Sequence, residues 1–153
     1  MITWGLGSAG NSSSVASSID SGVIEISSTD DAFAALKSDG SVVTWGSSAY
    51  GGDSSSVSTA LGSGVIEIFS TQRAFAALKS DGSVVTWGHN QYGGDSSSVN
   101  LNSGVIEIFK TNSAFAALKS DGSVITWGST SNGGDSSSVS TALGSGVIDI
   151  FPS

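Results

Sequence analysis

The sequence contains no cysteine, and it has one histidine, His89, among its 153 residues. Without cysteine it can form neither a disulfide nor a thiolate metal site. Only five lysines and arginines stand against thirteen aspartates and glutamates, which gives a net charge of −8. Because an acidic chain without a basic stripe repels phosphates, we expect neither nucleic acid nor an anionic membrane surface as a partner.

Long apolar runs are absent as well. The first residues, Met1-Ile-Thr-Trp-Gly, lack the basic and apolar regions of a signal peptide, and no run of about 18 apolar residues follows. We predict neither a signal peptide nor a membrane span, and the cellular location stays open. The chain begins inside a repeated motif, which favours a segment of a larger repetitive protein.

The sequence does contain a long internal repeat. Residues 74–88 read Ala-Phe-Ala-Ala-Leu-Lys-Ser-Asp-Gly-Ser-Val-Val-Thr-Trp-Gly, and nearly the same letters recur at 32–46 and 114–128. Two runs of small, β-branched and aromatic residues flank Asp-Gly, a pair that supplies the positive φ angles of a tight turn. The repeated unit is therefore predicted to be a β-hairpin.

The period of the repeat is close to 40 residues. Tryptophan occurs at Trp4, Trp45, Trp87 and Trp127, at intervals of 41, 42 and 40. Periods of this length are typical of stacked or ring-forming units. We predict one repeat domain over residues 1–153, with repeats at approximately 1–42, 43–84 and 85–124 and an incomplete repeat at 125–153.

Each complete repeat is predicted to contain three strands. In the second copy these are residues 65–69, 74–78 and 84–87, and their apolar side chains point to both faces of the sheet: Val65 and Phe69 against Ile66 and Ile68. A small sheet that is apolar on both faces must be covered on both sides. Alanines opposite aromatic rings allow neighbouring sheets to interdigitate, so most of the stability should come from packing of one repeat on the next.

These features predict an all-β protein, a β-propeller-like ring of ~40-residue, three- to four-stranded blades with about 3.7 repeats per chain. A β-solenoid is the alternative, although its coils would not need tight Asp-Gly hairpins. A trefoil fits almost four copies poorly. Residues 2–4 match the third strand of a blade and residues 147–150 match the first strand, so one blade lacks its middle strand. We expect the ring to be completed by association, either as a homo-oligomer or with a protein partner that donates a strand.

The order of motifs resembles the regulator of chromosome condensation type repeat. The resemblance is carried by Ser-Gly-Val-Ile-Glu-Ile, the Asp-Gly hairpin, Trp-Gly and Asn90-Gln-Tyr-Gly-Gly94, and it covers nearly the whole chain. It implies a propeller blade that serves as a protein-interaction platform. The founding type of that family promotes nucleotide exchange on a small GTPase. The repeats here are shorter and fewer than is usual in the family, and we do not carry the exchange activity over.

No catalytic site is predicted. His89 follows Trp-Gly in one copy, where the other copies have Leu6, Ser47 and Ser129. A metal ligand or proton shuttle would need partners of the same kind nearby, and the sequence offers no second histidine or cysteine. His89 is therefore interpreted as a loop residue, and the chain as a protein that is not an enzyme and has no cofactor.

Two acidic positions recur with each repeat. Asp53, Asp95 and Asp135 follow Gly-Gly, where they are either weak candidates for a calcium site or caps of local turns. Glu67 and Glu107, with Glu25 and Asp149, place one acid in each first strand. If these strands line the axis of the ring, the carboxylates form a ring of negative charge that raises the pKa of some of them or holds a cation. Alternatively, they keep a central channel solvated.

The aromatic residues supply the remaining candidates. Trp45, Trp87 and Trp127 are either core anchors or sugar-stacking surfaces, whereas Tyr50 and Tyr92, which occur in two copies only, are expected to be exposed contact residues. Repetition without a singular site favours a non-enzymatic protein-interaction or structural module. The alternative function is a multivalent, lectin-like module that binds glycans.

Overall fold

The computed structural model describes residues 10–151, and it contains three antiparallel sheets of three strands each. The strands are β1 (Val23–Ser28), β2 (Ala32–Lys37), β3 (Val42–Gly46), β4 (Val65–Ser70), β5 (Ala74–Lys79), β6 (Val84–Gly88), β7 (Val105–Lys110), β8 (Ala114–Lys119) and β9 (Val124–Gly128). Short 3-10 turns lie at Ser13–Val15, Ser48–Tyr50, Ser55–Val57, Ala60–Gly62, Asn90–Tyr92, Thr130–Asn132, Ser137–Val139 and Ala142–Gly144. Across this described part of the chain, no helix has the length and apolar character needed to cross a membrane.

Each sheet is a blade of three consecutive strands. The middle strand pairs with both neighbours, in the orders β1-β2-β3, β4-β5-β6 and β7-β8-β9. The chain therefore reverses direction between successive strands of a sheet, as we predicted from the tight hairpins. Each sheet is complete before the next begins. This is an all-β blade repeat fold, and the coils of a β-solenoid are not what the described residues form.

The predicted hairpin turn is present, with one correction to its geometry. In the first blade the Lys37 amide donates to the Ser41 carbonyl at 2.9 Å, which encloses a three-residue loop. Only Gly40 takes a positive φ, of 79°, whereas Asp39 does not. The expectation that Asp and Gly together supply positive φ angles was wrong, because a three-residue hairpin needs the left-handed conformation only at its last position. Asp39 instead accepts hydrogen bonds from the Ser41 amide at 2.9 Å and its hydroxyl at 2.6 Å.

The first strand of each blade contains a bulge that changes which side chains are buried. In β4, Val65 pairs with Lys79 and Glu67 pairs with Leu78, so the ladder skips Ile66. Ile66 is 56% exposed, and Ile68 is buried on the same side as Val65. The prediction that Ile66 and Ile68 share one face was wrong, because the extra residue shifts the two-residue alternation by one position.

The blades pack face to face, and each interface has one alanine-lined side and one aromatic side. Between the first two blades Ala32, Ala34 and Leu36 meet Val65, Ile68, Phe75 and Trp87, and between the second and third blades the equivalent residues meet in the same way. The predicted interdigitation of small and aromatic side chains is therefore present. Because Phe75 points to the first blade while Ala74 and Ala76 point to the third, one strand contributes to two cores.

Backbone hydrogen bonds link each hairpin turn to the next repeat. The Val65 amide donates to the Gly40 carbonyl at 3.0 Å, and the Val105 amide donates to the Gly82 carbonyl at 3.0 Å. The Val147 amide makes the same bond to the Gly122 carbonyl at 2.9 Å. Residues 147–150 nevertheless form no strand, so the prediction of a fourth first strand was wrong: among the described residues, no middle strand pairs with this segment. The predicted strand at residues 2–4 lies outside the described range.

Candidate functional site

Arginine and histidine each occur once in the chain, and both lie in loops of the second blade. Arg73 is the sole arginine, and it stands where the other copies have Asp31 and Ser113. His89, the sole histidine, follows strand β6 of the same blade. In a chain of nearly identical repeats, these two substitutions give one loop surface a chemistry that the other blades do not share.

Arg73 lies between two tyrosine rings. Its guanidinium carbon is 5.0 Å from the centroid of Tyr50 and 5.0 Å from that of Tyr92. Both tyrosines and the arginine are half-buried. Guanidinium groups at this distance from aromatic faces gain cation–π stabilisation, about 0.5–1 kcal/mol at an exposed site and more where water is excluded. We refer to Tyr50, Arg73, Tyr92 and His89 as the loop cluster.

The charge of Arg73 is not neutralised within the described part of the chain. The guanidinium forms no ion pair with any residue there, and its buried Nε has no hydrogen-bond partner. A guanidinium offers five N–H donors in a planar fork that matches a carboxylate. The guanidinium is held near both tyrosine rings and is partly exposed.

The tyrosines are positioned by threonines that precede the middle strands. The Thr29 hydroxyl donates to the Tyr50 carbonyl at 2.9 Å, and the Thr71 hydroxyl donates to the Tyr92 carbonyl at 2.9 Å. His89 packs edge-on against Tyr92, with ring centroids 5.2 Å apart and planes at 85°. Its Nδ1 accepts a hydrogen bond from the Gln91 amide at 3.3 Å, so it caps the turn Asn90–Tyr92.

A polar pocket adjoins the loop cluster on the side of the third blade. Its volume is about 430 Å³, and its lining includes Gln91, Tyr92, Ser113 and Ser129. Ser113, one of the lining residues, occupies the position that Arg73 fills one repeat earlier.

Sequence reasoning singled out Tyr50 and Tyr92 but overlooked Arg73. The signal that identifies Arg73 was available, because it is the only arginine in the chain and the other copies have an aspartate and a serine at its position. What the sequence did not show is that one side chain reaches tyrosines from two different repeats.

The three described tryptophans lie in the blade cores. Trp45, Trp87 and Trp127 are each 3% exposed and stack on Phe33, Phe75 and Phe115 with ring centroids 5.2–5.4 Å apart. The Trp87 and Trp127 indole N–H groups donate to the Gly51 and Gly93 carbonyls at 3.1 Å. Their burial leaves no face for stacking on a sugar, so the interpretation as core anchors fits the structure and the sugar-stacking interpretation does not.

The aspartates that follow Gly-Gly cap local turns. One carboxylate oxygen of each of Asp53, Asp95 and Asp135 accepts the amide hydrogen of the residue two positions later at 2.9 Å. For Asp53 and Asp95 this amide hydrogen bond, and for Asp135 the Ser137 hydroxyl followed by its amide, lowers the pKa of the carboxyl group below its usual value. Within residues 10–151, no three His, Cys, Asp or Glu side chains come together in a way that could hold a metal ion.

The glutamates of the first strands interact along the row of blades. Partial burial raises the pKa of Glu67, and the charges of Glu25 and Glu107 on the neighbouring blades raise it further. The mutual repulsion predicted for these carboxylates is therefore present at the middle position. This repulsion destabilises the folded state at neutral pH, because the like charges of Glu25 and Glu107 flank the ionised Glu67.

Comparison with known proteins identifies the fold. No protein-family model and no characterised protein sequence matches the chain. The ectodomain of the receptor kinase CR4 from Physcomitrella patens is similar in structure, with a TM-score of 0.53 and 16% identity over 81% of this chain and 33% of that one. At this identity the similarity shows the fold alone.

Two further solved structures belong to the same group of neighbours. Prp20p from Saccharomyces cerevisiae, the yeast RCC1 protein that was studied for its binding to Gsp1p and histones, has 19% identity over 69% of this chain and 30% of that one, with a TM-score of 0.48. Human WBSCR16 has 21% identity over 69% of this chain and 33% of that one, also with a TM-score of 0.48. The chain spans about a third of the length of these structures.

Proposed function

We propose that the chain is a non-enzymatic protein-interaction module that binds its partner through the loop cluster. The observation that carries this proposal is the stack of Arg73 between Tyr50 and Tyr92, with 5.0 Å to each ring and no charge partner for the guanidinium among the described residues. Tyrosine and arginine are the residue types that contribute most binding energy at protein interfaces. Here they form a single, preorganised group on a loop surface.

The chemistry of the loop cluster favours a protein partner that presents a carboxylate. The planar donor fork of Arg73 matches the two oxygens of a carboxyl group, and the pocket of about 430 Å³ beside Tyr92 accepts a neighbouring side chain. A glycan-binding surface would need exposed aromatic faces in each repeat, whereas the tryptophans are buried. Association with a second copy or with a strand-donating partner is a separate prediction that uses other surfaces.

The test is selection of a displayed peptide library on the intact chain. We expect the selected peptides to contain an acidic side chain or a free C-terminus and to bind the chain with a measurable Kd. Arg73→Ser replaces the arginine with the residue that the third repeat has at this position. We expect this change to weaken binding about tenfold or more, which corresponds to about 1.4 kcal/mol or more.

Lys110→Ser is the matched control. It also removes one positive charge, and it also introduces the residue found in the other two repeats, at Ser28 and Ser70. We expect the selected peptides to bind this variant as they bind the unmodified chain. If no peptide is enriched, or if enriched peptides bind Arg73→Ser and the unmodified chain equally well, the proposed role of the loop cluster is wrong. Saturable binding on a glycan array with several equal sites per chain would favour the lectin-like alternative.

A further inference from the structure

The positions that form the stack around Arg73 recur between the second and third blades with different residues. Arg73 lies between Tyr50, in the loop after β3, and Tyr92, in the loop after β6. One repeat later the corresponding three positions are Tyr92, Ser113 and Asn132. The second and third blades therefore keep one tyrosine of the stack and have a serine where the earlier copy has the arginine.

The backbone holds these loops in the same way in all three blades. A threonine hydroxyl ahead of the middle strand donates to the carbonyl of the loop residue: Thr29 to Tyr50 at 2.9 Å, Thr71 to Tyr92 at 2.9 Å and Thr111 to Asn132 at 3.0 Å. Each of these loop residues ends a 3-10 turn and precedes a glycine with a φ of 95–98°. The loops on either side of Ser113 are thus placed as the loops on either side of Arg73 are.

The space between the second and third of these loops is the polar pocket of about 430 Å³. Tyr92, Ser113 and Asn132 all line it. Its walls are described residues of the second and third blades, and the equivalent space between the first and second blades holds the side chain of Arg73, which belongs to the second blade itself. The pocket therefore corresponds to a guanidinium position that one repeat fills from its own sequence and the next does not.

The lining and the surrounding charge suit a planar cation. None of the described residues that line the pocket is charged, and their hydroxyl and amide oxygens accept hydrogen bonds from N–H donors. An adjoining pocket, which shares Gln91 and Thr130 with this one, is lined by Asp95 and Asp135. The chain as a whole has a net charge of −8. A guanidinium packs flat on a tyrosine ring, as Arg73 does, whereas the ammonium of lysine is compact and more strongly hydrated.

We propose that this pocket binds the guanidinium of an arginine side chain of a partner protein, in the position that Arg73 takes one repeat earlier. The guanidinium packs on the Tyr92 ring and donates hydrogen bonds to the polar lining. The inference rests on the proposed function for the kind of partner, which presents this arginine next to the acceptor group that Arg73 binds. Binding of a guanidinium in the pocket does not itself require Arg73.

The test is an NMR titration of the intact, isotope-labelled chain with N-acetyl-arginine N-methylamide, whose blocked ends imitate an arginine within a protein. We expect saturable shifts of the Tyr92, Ser113 and Ser131 amides, with a Kd of about 1 mM or lower. The matching citrulline derivative has the same shape without the charge, and the lysine derivative has the charge without the plane. Each should bind at least about fivefold more weakly.

Free L-arginine distinguishes a protein side chain from a small molecule with the same group. We expect it to bind no more tightly than the blocked derivative, because the pocket recognises the guanidinium and not the ends of the amino acid. Binding of free arginine that is about tenfold tighter or more would assign the pocket to a small molecule and overturn the protein partner.

Two variants of the chain test the position of the bound group. Ser113→Arg gives the third blade the residue of the second, so its own guanidinium should occupy the pocket and weaken binding of the arginine derivative about tenfold or more. Asn132→Tyr restores the second ring of the stack and should strengthen binding about threefold or more, a gain that misfolding cannot produce.

Ser70→Lys is the matched control for Ser113→Arg. It also adds one positive charge and also copies a residue from another repeat, Lys110, but it lies outside the pocket lining. It should change binding by less than about twofold. The proposal is overturned if the arginine derivative does not bind at ~10 mM, if citrulline or lysine binds as well, if Ser113→Arg acts no differently from Ser70→Lys, or if Asn132→Tyr gives no gain. The selection of acidic peptides varies Arg73 instead, so the two proposals can fail separately.

Discussion

The contact between an aromatic ring and a glycine can be measured by comparing Gly93→Ala with Gly133→Ala. Both glycines have nearly the same φ, 98° and 97°, so an alanine is strained by the same amount at either position, about 1–3 kcal/mol. Only at Gly93 would the new Cβ also collide with a neighbour, because it would lie 2.5 Å from the Phe115 ring. Forcing a methyl group into a filled core costs a further 1–3 kcal/mol or so.

We therefore expect Gly93→Ala to lower the free energy of unfolding by about 1–3 kcal/mol more than Gly133→Ala does. The difference is obtained from urea denaturation followed by far-UV circular dichroism. For a chain of this size, each 1 kcal/mol corresponds to about 2–4 °C in Tm, so thermal melting gives a second readout. Gly51→Ala should resemble Gly93→Ala, since its Cβ would lie 2.6 Å from the Phe75 ring.

A double-mutant cycle separates the collision from backbone strain. In a Phe115→Ala background the ring is gone, so Gly93→Ala should lose its additional cost and match Gly133→Ala. Equal destabilisation by Gly93→Ala and Gly133→Ala in the unmodified chain would refute the reasoning. It would mean that the two glycines are required only for their backbone conformation, and that packing of one blade on the next contributes little at this point.

Three further changes test the turn, the core and the row of acids. Gly82→Ala should lower the free energy of unfolding, measured by urea denaturation, by more than about 2 kcal/mol. The reason is that φ at Gly82 is 79° and the new Cβ would lie 2.8 Å from the Gly104 backbone nitrogen. An effect as small as that of the control Gly144→Ala would contradict the turn geometry. Trp87→Ala should lower the free energy of unfolding by about 3–5 kcal/mol in the same assay, because it leaves a cavity at a buried site. A near-neutral result would rule out the role of Trp87 as a core anchor. Glu67→Gln should raise Tm at pH 7. The pKa of Glu67 is raised above its ordinary value of 4.5, so ionisation of Glu67 lowers the stability of the folded state as pH rises above 4.5. The gain in Tm of the Gln variant should therefore vanish below pH 4.5. A lower Tm at pH 7 would show that the carboxylate is stabilising.

Much of the blade could be predicted because its signals are local. The predicted strands 74–78 and 84–87 differ from Ala74–Lys79 and Val84–Gly88 by one residue at the end. Alternation of side chains and the Asp-Gly turn depend on neighbours in sequence, so each copy carries the information by itself. The requirement that both faces of each sheet be covered also followed from the pattern of apolar residues, and the second blade meets it, because its two faces pack on the first and third blades.

The bulge and the final segment show where local signals were insufficient. Nothing in Val-Ile-Glu-Ile distinguishes a regular strand from one with a bulge, because the shift at Ile66 depends on how β4 pairs with β5. Residues 147–150 have the composition of a strand, but a strand needs a partner for its backbone groups, and none is present among the described residues. The loop cluster was predictable only in part, since Tyr50 and Tyr92 were identified and Arg73 was not.

The sequence by itself determined the all-β class, the three-stranded unit and its repetition, since these depend on side-chain alternation, turn residues and the spacing of the tryptophans. Only the tertiary structure decided which side chains of different copies meet, as Arg73 meets Tyr50 and Tyr92. Gly51, Gly93 and Gly133 each begin the motif Gly-Gly-Asp-Ser-Ser-Ser, yet among the described residues only the first two are packed by a phenylalanine ring. The physical reason is that burial is a property of the neighbour across the interface, and the sequence of a repeat does not state whether that neighbour is present.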